Sequence, residues 1–417
     1  MTYTMQLLQP GNLDVTSARG KGANLSALIT AGFPVPPGFV LTTDAYDAFV
    51  RENSLRQQII DVISKGAMDS PRAGEAASGA IKMLFLNAEI PEAVKVDLFA
   101  ECDRLTKEAQ VAVAVRSSAP FEDSPQGSFA GQHETFLGVV GEEALQKAVK
   151  ECWASLWTAR ALAYRERMGI DHEAAAMAVV VQMMAPADVS GILFTANPTT
   201  GSREELVVNA SFGLGEAIVS GQVTPETYVL NRENMTVNET TSGAKEVMIV
   251  SAAEGGTTTQ SVSETQRIES VLSQGLLGEL AALGVRVEEH FGVPQDIEWS
   301  LADGRFWLPQ ARPITNLPPT PLQDVRWEPL RPGSVWMRRQ VVEHMPEPLS
   351  PLFDELYLQE GLDQSMQSFA DSMSEMSGLK IDIWDIIQPP FATTVNGYAY
   401  SLASFEMNLL FTLVENG

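Results

Sequence analysis

The chain has 417 residues, enough for two or three domains that each bury a hydrophobic core. Its 28 basic and 53 acidic residues give a net charge of −25, which argues against nucleic acid or an anionic membrane surface as a partner. Two cysteines, Cys102 and Cys152, are too few for a disulfide framework, and the sequence shows no signal peptide and no membrane-spanning apolar run. We therefore expect a cytoplasmic protein.

Residues 1 to about 190 mix short strands with helices. The longest helical pattern runs from Glu142 to Met168, where apolar residues recur at helical spacing. The run MAVVVQMM, residues 177–184, is short, apolar and β-branched, so it predicts a buried strand.

From Gly191 to about Thr315 strand patterns predominate. One predicted helix, roughly from Glu264 to Phe291, interrupts them. The last two strand patterns, QDIEWSL and RFWLPQARPIT, flank the dipeptide Asp303-Gly304, which is typical of a β-hairpin turn.

A proline cluster at residues 317–322 predicts a linker, and the sequence from Asn316 onward has a different character. It is rich in methionine and aromatic residues and predicts a mainly helical region. Because the chain ends within an apolar helical pattern, LLFTLVENG, we expect this region to be incomplete. The prediction is an α+β protein with a first part at residues 1–190, a second at 191–315 and a third at 316–417.

Four stretches carry the groups that phosphoryl transfer needs, namely cations or backbone N–H groups for phosphates and oxygen ligands for a metal. They are RGKGANL with Lys21, VRSS with Arg116 at a strand end, the glycine-rich GSFAGQHET that leads to Thr135, and the last hairpin with Glu298, Gln310 and Arg312. Gln310 and Arg312 are two residues apart and share a strand face, where a carboxylate and an amide oxygen beside an arginine could hold Mg²⁺ and a phosphate.

Each stretch also has a purely structural explanation. A lysine between glycines is usually part of a turn, an arginine at a strand end is often a surface ion pair, and a glycine-rich segment can be a tight turn. Glu298 and Arg312 can equally form a cross-strand ion pair. Spacing alone therefore supports an anion site and no more.

Six motifs resemble those of one protein family, both in their sequences and in their order along the chain. The motifs are GKGANLSAL, AGFPVPPGFVLTTDAY, VAVRSSAPFEDSPQGSFAGQHET, GILFTANP, FGLGEAIVSGQVTPETYVL and IEWSLADGRFWLPQARPIT. Their sequence is similar to the nucleotide-binding region of phosphoenolpyruvate synthase, pyruvate phosphate dikinase and rifampicin phosphotransferase, over about residues 5–315. The resemblance implies a two-lobed ATP-grasp-like fold that holds Mg·ATP in the cleft between its lobes.

The same resemblance implies roles for individual residues. It implies that Lys21 and Arg116 bind the phosphates and that Arg312 binds the terminal phosphates. Glu298 and Gln310 would face Mg²⁺. Gly131 and Thr135 would belong to a glycine loop that closes over the phosphates, and Gln182 would lie at the adenine hinge. Glu216, in the FGLGE turn, either shapes the second lobe or lies near the site.

Members of this family split ATP into AMP and two phosphates, and they pass the β-phosphate through a histidine on a separate swivelling domain to an acceptor. That histidine lies in a Gly-Gly-x-x-(Ser/Thr)-(Ser/Cys)-His-like stretch. None of the four histidines of this chain, His133, His172, His290 and His344, has such surroundings. We therefore expect an ATP-dependent phosphotransferase whose histidine domain acts in cis, from a missing C-terminal part, or in trans.

The segment that follows residue 316 resembles in its placement the acceptor domain of rifampicin phosphotransferase. It predicts a hydroxyl-bearing organic acceptor, although a truncated hydrophobic core explains its methionines and aromatics equally well. A phosphoenolpyruvate synthase or phenylphosphate synthase-like subunit is one alternative, with the same ATP chemistry and another acceptor. A non-catalytic ATP-binding regulatory module is the other.

Overall fold

The computed structural model of the chain describes residues 2–8, 15–65, 71–106, 112–118, 135–185, 187–252, 254–315, 317, 336–337, 357, 361–378, 392–395 and 398–402. The chain divides into two compact units, Met1–Thr320 and Pro321–Gly417. Helices and antiparallel sheets occur together in the larger unit, so the predicted α+β class is confirmed.

A five-stranded antiparallel sheet forms the first part of the larger unit. Its strands are β1 (Thr4–Gln6), β2 (Gly38–Leu41), β3 (Val113–Ser118), β4 (Thr135–Val139) and β5 (Ala178–Met183). Their order across the sheet is β1-β2-β5-β3-β4. The helices of this part are α1 (Val15–Thr30), α2 (Thr43–Glu52), α3 (Leu55–Lys65), α4 (Pro71–Asn87), α5 (Glu92–Thr106), α6 (Glu142–Ser155) and α7 (Ala159–Arg167), followed by a 3₁₀ turn at His172–Ala174.

The central strand β5 is buried on both faces, which confirms the strand predicted from its apolar run. Val179 and Val181 belong to a hydrophobic cluster with residues of α2 to α6. Val180 belongs to a second cluster, in which Leu25 of α1 and Leu193 of the second sheet also take part. A strand with cores on both sides needs apolar side chains at every position, so its sequence loses the alternation of a half-exposed strand.

A six-stranded antiparallel sheet and a separate hairpin form the second part. The strands are β6 (Val189–Phe194), β7 (Glu205–Phe212), β8 (Glu226–Asn231), β9 (Val237–Thr241), β10 (Val247–Ser251), β11 (Thr257–Ser261), β12 (Gln295–Ala302) and β13 (Arg305–Pro313). The sheet order is β13-β12-β6-β7-β8-β9, and β10 pairs only with β11 in the described ladders. The helices are α8 (Glu216–Val219), α9 (Glu264–Ile268) and α10 (Gln274–Phe291).

Two predicted helices are each divided in the structure. The pattern at residues 142–168 forms α6 and α7, because Thr158 adopts an extended conformation and its side chain caps α7. The pattern at residues 264–291 forms α9 and α10, because Ser273 caps a new helix in the same way. The turn predicted from Asp303-Gly304 is confirmed, since both residues have positive φ and join β12 to β13.

The glycine-flanked segment around Lys21 is helical, where the simplest structural explanation was a turn. It forms the middle of α1, although glycines are poor helix formers. Leu25 and Leu28 of this helix are fully buried in the second hydrophobic cluster. Tertiary packing between the two sheets therefore outweighs the intrinsic preference of the glycines.

The smaller unit combines helix and strand in its described residues. It contains α11 (Leu362–Ser377) and a three-stranded antiparallel sheet of β14 (Trp336–Met337), β15 (Ala392–Val395) and β16 (Tyr398–Leu402). The prediction of a mainly helical region did not foresee this sheet. The signal was present, because β15 and β16 are rich in β-branched and aromatic residues and are separated by Asn-Gly.

The predictions from the sequence also concern the cysteines and membrane-spanning helices. Both cysteines are free thiols, and burial raises the pKa of Cys102 to about 11, which keeps this thiol protonated at neutral pH. In the part of the chain that the structure describes, no helix combines the length and apolarity needed to cross a membrane.

Candidate functional site

A cavity of about 370 Å³ lies between the two sheets of the larger unit. This volume is within the range of ~300–1,000 Å³ that is usual for small-molecule sites. Arg116 of β3, Thr135 of β4 and Gln182 of β5 line it from the first sheet, and Glu298 of β12 lines it from the second. Four of the residues predicted from the sequence therefore face one space.

The Arg116 guanidinium joins the two sheets. Its Nη1 donates to the Pro309 carbonyl at 2.9 Å, and its Nη2 donates to the Glu298 carboxylate at 2.5 Å and to the Gln310 amide oxygen at 2.9 Å. The side chain is only 8% exposed. Its buried Nε–H has no hydrogen-bond partner among the described residues, so the guanidinium retains donor capacity for another acceptor.

A β-bulge in β13 lies at this junction. The ladder between β12 and β13 pairs Glu298 with Gln310 but Ser300 with Trp307, so β13 holds one residue more than β12 between these pairs. Pro309 is one of the two residues in the longer stretch. Proline has no N–H group to donate to a ladder, and bulges are among the few sheet positions where it is tolerated.

The bulge determines which side chains of β13 face the core. Strict alternation from Phe306 and Leu308 would place Gln310 in the core as well. The extra residue shifts the alternation, so Phe306, Leu308 and Ala311 lie in the second hydrophobic cluster. Gln310 and Arg312 consequently take the opposite face, together with their cross-strand partners on β12.

Two backbone groups of the bulge are hydrogen-bonded to the first part of the chain, because β13 is the edge strand of its sheet. The Leu308 N–H donates to the Pro34 carbonyl at 2.8 Å. The Pro309 carbonyl accepts the hydrogen bond from Arg116. Main-chain groups of the second sheet are thus hydrogen-bonded directly to residues next to and within the first sheet.

Lys21 lies next to the end of β3 and is 5% exposed. Its Nζ donates to the Ser117 carbonyl at 3.2 Å, and the neighbouring Gly22 N–H donates to the Ser118 hydroxyl at 3.2 Å. The Ser117 hydroxyl is buried without a hydrogen-bond partner among the described residues. Lys21 is not among the described residues that line the cavity, but it places a positive charge close to the strand that carries Arg116.

Three cations hold the Glu298 carboxyl group in its charged form. Burial opposes ionisation of this group, but the adjacent Arg116, with smaller contributions from Lys21 and Arg312, holds its pKa below the ordinary value. The group is therefore a carboxylate at neutral pH and can serve as an acceptor or a metal ligand.

The cross-strand ion pair of the hairpin involves Asp296. Arg312 donates to the Asp296 carboxylate from Nε at 3.0 Å and from Nη2 at 2.7 Å, and the two residues lie opposite each other in the ladder. Burial raises the pKa of Asp296, and the charge of Arg312 opposes this rise. The sequence had suggested Glu298 as the partner of Arg312. The alternation Asp-x-Glu on β12, which places Asp296 and Glu298 on one face, is the local signal that makes Asp296 an equally good partner.

The other predicted residues lie at different parts of the cavity or outside the described chain. The Gln182 side chain is 1% exposed and donates to the Pro36 carbonyl at 3.1 Å. Thr135 begins β4 and is exposed at the cavity. Glu216 also lines this cavity, from the first residue of α8. Gly131, like the rest of the glycine-rich segment before Thr135, lies outside the described residues.

Glu298 and Gln310 provide the oxygen atoms that suit Mg²⁺. Both accept a hydrogen bond from the same Arg116 nitrogen, so their oxygens are close together. Within the described residues, no group of three or more His, Cys, Asp or Glu side chains is placed to hold a metal ion. Mg²⁺ commonly binds through one or two protein oxygens together with substrate phosphates, so this donor set fits a metal that shares its ligands with a nucleotide.

Two of the four histidines lie in the described residues, and neither lines the cavity. His172 accepts a hydrogen bond at Nδ1 from Arg165 at 3.1 Å, and burial lowers the pKa of its imidazole. His290 packs edge-on against Phe33 at a ring distance of 6.0 Å. Both contacts are those of structural residues.

The comparisons with known proteins agree with the resemblance seen in the sequence. Residues 15–327 match the family model for the AMP/ATP-binding domain of pyruvate phosphate dikinase. The chain is 41% identical over 320 residues to a probable phosphoenolpyruvate synthase of Methanocaldococcus jannaschii, which covers 76% of this chain and 27% of that protein.

Two further relatives show the same extent of similarity. The phosphoenolpyruvate synthase of Pyrococcus furiosus is 38% identical over 347 residues, covering 73% of this chain and 42% of that protein. The rifampicin phosphotransferase of a Streptomyces species is 42% identical over 306 residues, covering 73% of this chain and 35% of that protein. The chain thus spans less than half the length of these curated relatives.

Proposed function

Because the chain belongs to the pyruvate phosphate dikinase AMP/ATP-binding family, we propose that it binds Mg·ATP as part of a dikinase-type phosphotransferase. In this proposal residues 1–190 and 191–315 are the two lobes of an ATP-grasp-like clamp, and residues 316–417 begin an acceptor-binding region. The observation that carries it is the cluster of Arg116, Glu298 and Gln310 beside a cavity large enough for a small ligand.

Four of the proposed nucleotide ligands, Arg116, Thr135, Gln182 and Glu298, line this cavity. The full proposed set is Lys21, Arg116 and Arg312 for the phosphates, Gly131 and Thr135 in the loop that closes over them, Gln182 at the adenine, and Glu298 and Gln310 for Mg²⁺. When bound, Mg²⁺ would neutralise charge that develops between the β- and γ-phosphates.

Arg116 would change hydrogen-bond partners when the nucleotide enters. Its Nη2 now donates to the carboxylate of Glu298, which occupies the position of an anion. A phosphate oxygen would replace this carboxylate, and the freed Glu298 and Gln310 oxygens would turn to the metal. Since Pro309 holds Nη1 and the side chain is buried, the guanidinium is already oriented before the phosphate arrives.

The whole reaction that we propose follows the family's chemistry. A histidine nitrogen on a domain acting in cis or in trans would attack the β-phosphorus and release AMP, and water would take the terminal phosphoryl group as phosphate. The phosphoryl group left on the histidine would then pass to an acceptor hydroxyl. We propose a cytoplasmic setting, because both cysteines of the chain are free thiols.

Two acceptor classes are supported by named relatives. A rifampicin-like hydroxyl acceptor agrees with the similarity to rifampicin phosphotransferase, and pyruvate agrees with the similarity to phosphoenolpyruvate synthases. Calorimetric titration of the chain with rifampicin and with pyruvate discriminates them. Saturable binding of rifampicin supports the first class, whereas binding of pyruvate alone supports the second.

The nucleotide proposal is tested by titrating Mg·ATP into the chain and into its Arg116→Ala variant. We expect micromolar-range binding that the substitution weakens about tenfold or more, which corresponds to about 1.4 kcal/mol. Arg160→Ala, which removes an exposed arginine at the start of α7, is the matched control and leaves the affinity unchanged.

Absence of Mg·ATP binding in folded wild-type protein refutes the proposal. Equal affinities of the wild type and the Arg116→Ala variant refute the assigned phosphate contact. Binding without AMP formation, after a histidine-bearing domain has been supplied, would favour the regulatory alternative over the enzyme.

A further inference from the structure

A second, much smaller cavity lies in the first part of the larger unit, among α2, α3 and the 3₁₀ turn. Its volume is about 20 Å³, and ~10–15 Å³ is enough for one water molecule or one monatomic ion. Its polar lining residues are Tyr46, Arg56, Trp157, His172 and Glu173. Among the described residues, it shares no lining residue with the large cavity between the sheets, so its chemistry is separate from that of the proposed nucleotide site.

Arg165 of α7 packs against the wall of this small cavity as a buried cation. It is 5% exposed, and its guanidinium carbon lies 4.9 Å from the centre of the Trp157 ring. Nε donates to His172 Nδ1 at 3.1 Å, and Nη1 donates to the Leu156 carbonyl at 2.8 Å. Nη2 is buried without a hydrogen-bond partner, and no carboxylate pairs with this guanidinium, within the described part of the chain. Burial lowers the pKa of Arg165 to about 10, which leaves the group charged at neutral pH.

Two donors in the cavity wall also lack a described acceptor. The Tyr46 hydroxyl accepts a hydrogen bond from Trp157 Nε1 at 3.1 Å, but no described group accepts the proton of this hydroxyl. Burial raises the pKa of Tyr46 above its ordinary value, so the oxygen keeps its proton at neutral pH. His172 accepts at Nδ1 and burial lowers its pKa, so the neutral ring carries its proton on Nε2, again with no acceptor among the described groups.

These unpaired donors indicate an occupant that only accepts hydrogen bonds. A buried charge is unfavourable unless it is paired, and Arg165 has no countercharge among the described residues. A water molecule could accept from these donors but has two protons of its own to donate. Glu173 is the one carboxylate of the described lining, and it forms a half-exposed ion pair with Arg56 at 3.5 Å. A halide ion accepts without donating, carries the missing charge and is small enough for the cavity.

We propose that this small cavity binds a single chloride ion. The Tyr46 hydroxyl and the Nε2–H group of His172 donate to the ion, and the charge of Arg165 offsets its charge. The ion joins α2 to the 3₁₀ turn that precedes β5, and it thereby stabilises the first part of the larger unit. This site lies outside the proposed nucleotide cavity and does not depend on nucleotide binding.

Urea unfolding at constant ionic strength tests the proposal, with sodium chloride compared with sodium gluconate. Gluconate is an anion with a six-carbon chain, which a cavity of about 20 Å³ excludes. An ion that binds only the folded state raises the ratio of folded to unfolded protein by the factor 1 + [chloride]/Kd. For a Kd of ~20 mM, replacing ~200 mM gluconate by chloride raises this ratio about tenfold, and we expect an effect of this order for wild-type protein.

Three variants assign the chloride effect to this cavity. Tyr46→Phe removes one donor and keeps the ring, and Arg165→Met removes the buried charge. Each is expected to reduce the chloride effect to about twofold or less. Arg167→Met is the matched control, since Arg167 is an exposed arginine on the same helix, and it retains the wild-type effect. Each protein is compared with itself in the two salts, so a loss of stability common to both does not enter. Should Arg165→Met fail to fold, Tyr46→Phe decides the question.

Crystals grown with sodium bromide locate the ion directly, because bromide replaces chloride and scatters X-rays anomalously. We expect an anomalous peak in contact with the Tyr46 hydroxyl and beside the Arg165 guanidinium. A water molecule at this position, without an anomalous peak, overturns the proposal. Equal stability of wild-type protein in the two salts overturns it as well. A chloride effect that persists undiminished in Tyr46→Phe shows that the ion binds elsewhere and overturns the assigned site.

Discussion

The buried ion pair between Lys245 and Glu226 offers a sharp test of how the second sheet is stabilised. The lysine side chain is 1% exposed and the glutamate side chain 4%. Lys245 Nζ donates to Glu226 Oε2 at 3.1 Å and to the Glu269 carbonyl at 2.7 Å, while the Val271 N–H donates to the same carboxylate oxygen at 2.8 Å. Replacing the lysine therefore leaves a buried carboxylate whose remaining donors among the described residues, the Val271 N–H and the Tyr228 hydroxyl, are uncharged.

The expected cost of Lys245→Met is large. Removing one partner of a buried ion pair typically destabilises a protein by ~3–5 kcal/mol, because the other charge remains buried and uncompensated. Methionine keeps much of the length of lysine. Lys245 has a positive φ of 45°, and the conformational cost of this angle is similar for the two side chains, so it cancels in the comparison. The measured loss then reports the charge.

A second substitution separates the charge from the packing. In the double variant Lys245→Met, Glu226→Gln, the buried negative charge is absent, and the amide oxygen of glutamine can still accept the Val271 N–H. We expect the double variant to be more stable than the single variant Lys245→Met by about 2 kcal/mol or more.

Urea unfolding followed by circular dichroism measures these differences as changes in the free energy of unfolding. Lys95→Met is the control, because Lys95 forms an ion pair with Glu89, whose side chain is 81% exposed, at 3.4 Å. Such pairs contribute ~0–1 kcal/mol. The reasoning fails if Lys245→Met costs no more than this control, or if the double variant is no more stable than the single one.

Two further predictions concern the site and its surroundings. Because the pKa of Glu298 is lowered in the folded state, ionisation of this group stabilises the fold at pH values above its ordinary pKa, and this contribution is lost as the pH falls through the folded-state pKa. Wild-type protein should therefore lose more stability between pH 6 and pH 3 than the Glu298→Gln variant in parallel urea titrations. Equal losses in the two proteins would contradict this. Asp296, whose pKa is raised, contributes with the opposite sign, so Asp296→Asn should lose more stability than the wild type over the same interval. Gly138→Ala should cost at least ~1–3 kcal/mol in thermal or urea unfolding, because Gly138 has a φ of 71° and an added Cβ would collide with the Gly256 carbonyl. Gly32→Ala is the control, because Gly32 has a similar φ of 81° but open space around an added Cβ. If Gly32→Ala lowers the free energy of unfolding as much as Gly138→Ala does, the close contact with Gly256 contributes nothing.

Local signals predicted much of the larger unit. The apolar run of β5 and the Asp-Gly hairpin between β12 and β13 are determined by neighbouring residues, and both are confirmed. The helical character of the segment around Lys21 depends on burial of Leu25 and Leu28 against distant strands. No local pattern contains that information, because glycines on either side of a lysine favour a turn when they are considered alone.

The site shows the same division between local and distant causes. The pairing of Glu298 with Gln310 follows from the hairpin register and was expected. The contact of Arg116 with both residues joins positions 182 and 194 apart in the chain, and it depends on how the two sheets pack. The resemblance to a family predicted that these residues lie at one site. The periodicity of the sequence predicted only that each of them lies on a strand.

The bulge in β13 has a consequence for mutagenesis of this hairpin. The groups that it offers to the first sheet, the Leu308 N–H and the Pro309 carbonyl, belong to the main chain, and a side-chain substitution at either position leaves them in place. Alanine scanning of β13 would therefore overlook this attachment. Deletion of one residue between Trp307 and Gln310 would test it, because loss of the bulge changes which backbone groups of this edge strand face Arg116. At this point of the hairpin, the number of residues matters more to the attachment than their side chains do.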